Sequence, residues 1–285
     1  MVSVTQHIRK LTTRRKARGL TLIELVVVIA VLAILAGFIV PRLGFVRNLA
    51  AESGNATIIA DSSTQAVFYN TAVGHYPQGE DALLDTANAL YPNLNSGLSA
   101  VLSPLDLSTD ISAAKSIVSQ LDPAGAKAQL YYGTPGGSQT PNSDFTNEVD
   151  LTYTGGATPA ATGHVAKVKV PTQLTDKSYP IYLAAYGPGA LSTTTGAPLD
   201  GTYLVALGYG SSSQINGKTG LEPPVLFDKT PGEYTRPILL LKVFATGSTA
   251  TGVPAGTSAT TSISLGFDGG TSGSQLAKYA VDQNR

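Results

Sequence analysis

The chain has 285 residues, enough for about two domains at roughly 150 residues each. Hydrophobic residues at 42% can build a core, while only 13% are charged, and 30 glycines, 17 prolines and abundant serine and threonine mark a turn-rich, extracytoplasmic type of chain. With no cysteine, disulfides, cysteine-ligated zinc, iron–sulfur clusters and thiol catalysis are excluded, and the redox compartment stays open.

The formal net charge of zero hides a segregation. Residues 1–19 carry six basic groups (Arg9, Lys10, Arg14, Arg15, Lys16, Arg18) and no acid. Removing these six from the 19 basic residues leaves 13 against 19 acidic ones, a net of −6. The remainder therefore lacks the basic face that nucleic-acid binding needs.

Leu20 to Val40 follows the basic block, with Thr21 and Glu24 as its only polar members. At about 1.5 Å per residue a helix of this length reaches roughly 31 Å, the thickness of a hydrocarbon core. Basic residues on its N-terminal side predict a single membrane pass with that end cytoplasmic and the C-terminal bulk translocated. A cleaved secretory signal fits poorly, because the run is long and Ala30, Ala33 and Ala36 sit at helical spacing without a small-x-small stop. A twin-arginine signal is hinted at by Arg14-Arg15, but Lys16-Ala17-Arg18 stands where apolar residues should follow. A plain signal anchor leaves Glu24 unexplained, since carboxylates inside a membrane segment are costly and are functional suspects by default.

Arg18-Gly19-Leu20-Thr21-Leu22-Ile23-Glu24-Leu25, between a basic leader and an apolar helix, resembles the processing site of type IV pilins and type II secretion pseudopilins. The resemblance implies that prepilin peptidase cuts after Gly19, that Leu20 becomes the N-methylated terminus, and that Glu24 serves in assembly. Leu20 stands where the family usually has phenylalanine or methionine. Pro41 falls at the family's helix-softening proline. On this reading 1–19 is a leader, 20–73 a transmembrane and stalk helix, and 74–285 an extracytoplasmic head. The implied partners are further copies of the chain in a helical filament, the peptidase, the assembly platform and ATPase of the inner membrane, and lipid.

The chemistry of Gly19 and Glu24 is consistent with that. Glycine leaves room for a protease to approach the backbone. Cleavage exposes an amine at Leu20, four residues before Glu24, and in a stacked bundle the two charges on adjacent subunits could neutralise each other and set register. An intrachain contact at the helix N-terminus is the alternative.

Beyond Pro41 the pattern turns amphipathic, with Leu43, Val46 and Ala50 on one face and Ile58, Ile59, Ala66, Val67 and Phe68 restoring apolar positions later. One helix from Leu20 to about Val73, roughly 80 Å long, is expected to pack its outer half on a sheet. Gly74-His75-Tyr76-Pro77 stops it. The segment from Gly74 to Leu83 is similar to the G-x-Y-P stretch of major pseudopilins. Ser264 to Gly270 is similar to their calcium-binding glycine-aspartate loop, making Asp268 a candidate calcium ligand, with a plain β-turn as the alternative. No other cofactor is implied.

The head carries 11 basic and 16 acidic residues. The expected fold class is α+β and pilin-like, with the long helix on an enlarged antiparallel β-rich head. Helices are expected over Asp81–Leu90 and over Asp110–Leu121, the latter capped by Asp110 with Ile111, Ala114, Ile117, Val118 and Leu121 inward. Strands are expected over Gln129–Tyr132, Glu148–Thr154, His164–Val170, Tyr179–Tyr186, Thr202–Tyr209, Arg236–Phe244 and Ser262–Phe267. The similarity of Tyr182–Gly189 to Tyr203–Gly210 suggests one hairpin, and the linkers 133–143, 187–201 and 247–261 read as mobile.

No nucleophile elbow, zinc-protease, P-loop or dinucleotide-binding pattern is present. His7 lies in the leader, and His75 and His164 read as turn and surface residues. The 13 tyrosines, with no tryptophan beside them, read as packing rather than as a carbohydrate platform. The expectation is a non-enzymatic filament subunit of a type II secretion pseudopilus. The alternatives are a minor pilus pilin or adhesin, or a membrane-anchored binding or enzymatic domain.

Overall fold

The computed structural model describes residues 21–94, 96–135, 144–220, 225–226, 233–245 and 262–265, with side chains described for these except 39–49, 51–52 and 262–265. Contacts divide the chain into two compact units, Met1–Asn48 and Leu49–Arg285.

In the first unit the backbone is helical from Leu22, the start of α1 (Leu22–Val73), and every described side chain from Thr21 to Phe38 is exposed. The helix runs on through Pro41, whose ring removes one amide donor from the ladder. Among the described residues no helix is long and apolar enough to cross a membrane, the described side chains of this apolar stretch ending at Phe38.

The second unit holds the outer part of α1 and a nine-stranded sheet. Its strands are β1 (Glu80–Asp85), β2 (Leu102–Asp106), β3 (Lys127–Gly133), β4 (Phe145–Thr154), β5 (Ala160–Thr162), β6 (His164–Val168), β7 (Thr202–Gly208), β8 (Ile238–Phe244) and β9 (Ser262–Leu265). The helices are α2 (Ser96–Val101), α3 (Ile111–Leu121) and α4 (Tyr179–Tyr186).

The fold class is α+β, but the sheet is mixed where an antiparallel one was expected, because β1 and β3 run parallel. All other pairings are antiparallel. The pairings run as an open path from β2 through β6, β7, β1, β3 and β4 to β5, with β8 and β9 branching from β7. β1 pairs β3, β3 pairs β4, and β4 pairs β5. The chain turns at Gly163 from β5 into β6, which pairs β7, and β7 pairs β1. Gly163 has φ +110°, and a Cβ there would overlap the end of Leu151, so the corner needs glycine.

α3 lies against β3, β4, β5 and β8 with Ala113, Ala114, Ile117, Val118 and Leu121 buried. Asp110 caps it, accepting from the Ala113 amide at 3.1 Å, as its sequence suggests.

Two expected elements change type. Asp81–Leu90 is not a helix: Glu80–Asp85 is the central strand β1, buried at all six positions, followed by turns. Apolar neighbours on both sides override its helical residue content, and Leu83 takes a positive φ of 57° at the point where the register with β3 shifts. Tyr179–Tyr186 is not a strand but α4, started by Pro180 in the first turn and ended by Gly187 at φ +76°. Tyr182 and Tyr186, four apart, stack with centroids 5.7 Å apart. The hairpin expected between Tyr182–Gly189 and Tyr203–Gly210 is therefore absent.

Residues 187–201, expected to be a mobile linker, form a bonded turn system. Leu191 bridges Pro198, Leu199 N donates to Ala190 O at 2.9 Å, and Leu191 is buried. Residues 136–143 and 247–261 of the other two linkers lie outside the described residues.

Among the described residues eight tyrosines are buried, and Tyr131, Tyr153, Tyr179 and Tyr186 pack partly buried on the same core. The sequence expectation that they serve packing matches this placement.

Candidate functional site

The N-terminal end of α1 is built by a local hydrogen-bond exchange. The first turn of a helix leaves amide donors without partners, and Thr21 with Glu24 meets that need. The Thr21 amide and hydroxyl both donate to Glu24 Oε2, at 2.8 and 3.0 Å, and the Glu24 amide donates to Thr21 Oγ1 at 3.3 Å. This is a capping box formed at spacing i,i+3. Glu24 is thus bonded to Thr21 within its own chain, while the i,i+4 contact with Leu20 falls on a residue outside the described ones. The signal was visible as T-x-x-E just ahead of an apolar run. Gly19 and Leu20 lie outside the described residues, as does Asp268. Pro41 is helical, and its side chain is not described.

The expected apolar face of the outer helix is only partly right. Asn55, Ile59, Ser62, Ala66 and Tyr69 are the buried positions, at alternating spacings of four and three. Val67 and Phe68, expected among the apolar positions, are exposed, and Phe68 is 62% exposed.

What the inner face meets is the loop after β7. Tyr69 Oη donates to Gln214 Oε1 at 2.8 Å, and Tyr209 Oη donates to Gln65 Oε1 at 3.2 Å. Lys218 Nζ donates to Tyr69 Oη at 3.4 Å and stands 5.3 Å from its ring centroid. The loop in turn rests on residues 78–81. Gln214 N donates to Gln78 O at 2.9 Å, Ser213 Oγ to Glu80 Oε1 at 2.5 Å, and Gly210 N to Glu80 Oε2 at 3.3 Å.

Glu80 and Asp81 are buried side by side at this junction. Burial raises Glu80 well above the ordinary carboxylate range, and neighbouring Asp81 adds to that. Burial likewise pushes Asp81 up to about 7, against the opposing pull of Arg236 and the hydrogen bond donated by Tyr234 Oη at 2.8 Å. Sequence reasoning missed this pair, because it placed Asp81 at the start of a helix over Asp81–Leu90 and assigned Glu80 to no element. Two adjacent acids beside an apolar A-L-L run were the available signal.

His75 lies beside the helix end, its ring edge-on to Tyr69 with centroids 5.8 Å apart, and its Nδ1 is 2.7 Å from Tyr76 O. His164 Nε2 is 3.8 Å from Asp106 Oδ2 at the start of β6. The two are not brought together with a nucleophile. Among the described residues no group of histidines and carboxylates is placed to hold a metal ion.

Residues 14–40 match the prokaryotic N-terminal methylation motif. That motif is the signature of type IV pilins and pseudopilins, and it takes in Gly19, Leu20, Thr21 and Glu24. The N-terminus is accordingly pilin-type: the motif implies processing by prepilin peptidase and assembly into pilin-type filaments, and indicates a membrane-anchored protein. The match ends at Val40, so the head lies outside it. No curated protein and no solved structure matches the chain.

Proposed function

We propose that the chain is a structural pseudopilin of a type II secretion system, with a pilin-like fold. It is cleaved after Gly19, N-methylated on Leu20, and polymerised through α1 into a filament that supports secretion. The observation that carries this reading is the methylation motif at 14–40 followed by a single helix ending at Gly74-His75-Tyr76-Pro77. The apolar run from Leu25 to Val40 supports a single inner-membrane pass, with the N-terminus cytoplasmic and the head periplasmic. Exposed Val67 and Phe68 on α1 give the outer helix an apolar face for neighbouring copies. The peptidase, the assembly platform, its ATPase and membrane lipid are the expected partners. The head supplies contacts rather than catalysis.

Mass analysis of the membrane-extracted protein tests the reading. A species lacking residues 1–19 and carrying one methyl group on Leu20 is expected, and replacing Gly19 with a bulky residue should leave only precursor. An intact N-terminus in the wild type would leave a plain anchored domain instead. Deleting the gene then separates the two filament classes. Loss of secretion with normal surface pili supports the pseudopilus, whereas loss of pili or adhesion with normal secretion assigns a pilus pilin or adhesin.

A further inference from the structure

The outer part of α1 is a poor helix by its own sequence. Between Ser53 and Val73 only Ala56, Ala60, Gln65, Ala66 and Ala72 are strong helix formers. The other sixteen residues are glycine, asparagine, aspartate, hydroxyl-bearing, β-branched or aromatic. Each such residue cuts the propagation constant about twofold from the ~1–1.6 of good helix formers, to below 1, and so works against the helix in water. No lysine or arginine lies between Asn48 and Gly74, so i,i+4 ion pairs are missing along this stretch and the last turn has no basic residue. The hydroxyls add to the weakness. Thr57 Oγ1 donates to Ser53 O at 3.1 Å, Ser62 Oγ to Ile58 O at 2.7 Å, Thr64 Oγ1 to Ala60 O at 2.9 Å and Thr71 Oγ1 to Val67 O at 2.9 Å. Such bonds compete with the amide ladder for the same carbonyls and slightly destabilise a helix.

The stretch is nonetheless helical throughout, and it lies against a surface that is already built. Loop 209–220 holds its shape through bonds of its own. Asn216 Nδ2 donates to Gly210 O and Ser211 O at 3.0 and 2.9 Å, and the amides of Lys218, Thr219 and Gly220 all donate to Ile215 O. Gln214 N and Ser213 Oγ fasten it to Gln78 and Glu80 of the head. On its other side it takes Gln65 and Tyr69 of α1 through Tyr209, Gln214 and Lys218. The loop backbone comes so close that a Cβ on Gly220 would lie 2.7 Å from Gln65 Oε1. Tertiary contact, rather than propensity, is then what keeps this part of α1 wound.

We propose that residues 53–73 are helical only while seated on loop 209–220, so that unseating and unwinding are one event and the outer part of α1 is an extensible segment. Seated, the segment spans about 31 Å at about 1.5 Å per residue; unwound, it can reach about 69 Å at about 3.3 Å per residue. The helix before it, uniformly apolar from Leu25 to Val40, has no share in this change. The device lies in the chain's own folding and does not rest on the pseudopilin reading.

The test uses the full chain in detergent micelles. Because the protein has no cysteine, spin labels can be placed at chosen exposed positions. Ser53→Cys with Ala72→Cys reads the helix, and Ser53→Cys with Ser211→Cys reads its seating. In the otherwise unaltered chain each pair should give one narrow distance, the first near about 28 Å. Gln214→Ala, Lys218→Ala and Gly220→Val together weaken the seat from the loop side and leave the sequence of α1 untouched. In that background the second distance should lengthen and the first should spread into a broad distribution. Adding Thr57→Ala, Thr64→Ala and Thr71→Ala, all at exposed positions, should raise the helix-to-coil ratio about tenfold and restore a narrow first distance. A first distance that stays narrow when the second lengthens overturns the proposal, as does a broad first distance that the three alanines leave unchanged. Should the loop variant stay seated, stepwise urea on the unaltered loop decides. Both distances must then change at one midpoint, and a first distance still narrow beyond the midpoint of the second overturns the proposal.

Discussion

Gly74 and Gly79 offer a matched pair of perturbations, because both have positive φ (+93° and +81°) but different surroundings. A Cβ at Gly74 meets nothing within 4 Å. A Cβ at Gly79 would overlap the carbonyl oxygen of Ser212 and lie 3.0 Å from its carbon, both backbone atoms of the loop that grips α1. Gly74→Ala should therefore lose only the cost of an L-residue at positive φ, about 1–2 kcal/mol. Gly79→Ala adds overpacking against a backbone that has little freedom to yield, typically about 1–3 kcal/mol more. Its total of roughly 2–5 kcal/mol is a large part of the ordinary 5–15 kcal/mol stability of a domain. Urea unfolding followed by tyrosine fluorescence measures both, since no tryptophan interferes. The amide of Gly79 already donates to Gln129 O at 3.0 Å, so displacement of this residue would also strain the β1–β3 junction. Equal losses in the two variants, or a smaller loss for Gly79→Ala, would refute the argument that loop 209–220 sits hard against residue 79.

The raised pair also fixes a sign for the pH dependence. Acids raised on folding stabilise the head fully below their ordinary values of 3.8 and 4.5, and this is lost as pH rises through the folded value of about 7. At about 1.36 kcal/mol per unit, Asp81 alone accounts for up to about 4 kcal/mol, so thermal melts should show the midpoint falling between about pH 4 and about pH 7. Asp106, Asp122, Asp176 and Asp200 are lowered, so their contributions vanish only on further acidification, and melts at about pH 3 should fall again. Asp110→Ala removes the α3 cap and the 2.8 Å acceptor for Tyr203 Oη, and should cost about 1–2 kcal/mol by urea unfolding. Glu24→Ala and Thr21→Val both break the capping box, but only the first removes the carboxylate. If Glu24 pairs with a neighbour's amine, filament yield measured after confirmed leader removal should collapse for Glu24→Ala and fall less for Thr21→Val. Equal yields from the two would reduce Glu24 to a cap.

The long helix was legible because its signals are redundant: an apolar run, then an amphipathic stretch, then Gly74 and Pro77 at the stop. α3 was legible from Asp110 and a clean apolar stripe. The strands β3, β6, β7 and β8 were marked by β-branched and aromatic residues between turn signals. β1 was not, since Ala, Leu and Asp at helical spacing say nothing of the neighbours that bury it on both sides. α4 was hidden by its aromatic content, although Pro180 and the spacing of Tyr182 and Tyr186 carried the correct signal. Of the candidate site, Glu24 and Thr21 were legible because a capping box is local in sequence. The junction of Glu80 with Ser213 was not, because 133 residues separate its partners and no local pattern encodes such a contact.

The central position of β1 has a mechanical consequence. Any tension applied along α1 enters the head by two routes, the covalent connection at 74–79 and the loop fastened to Gln65 and Tyr69. The covalent route ends in a strand held by β3 on one side and β7 on the other, not in an edge strand. A strand so placed leaves only when both ladders fail, so the pull is spread over the sheet instead of peeling it from its rim. Parallel pairing of β1 with β3 is what puts the first strand of the head in that interior place.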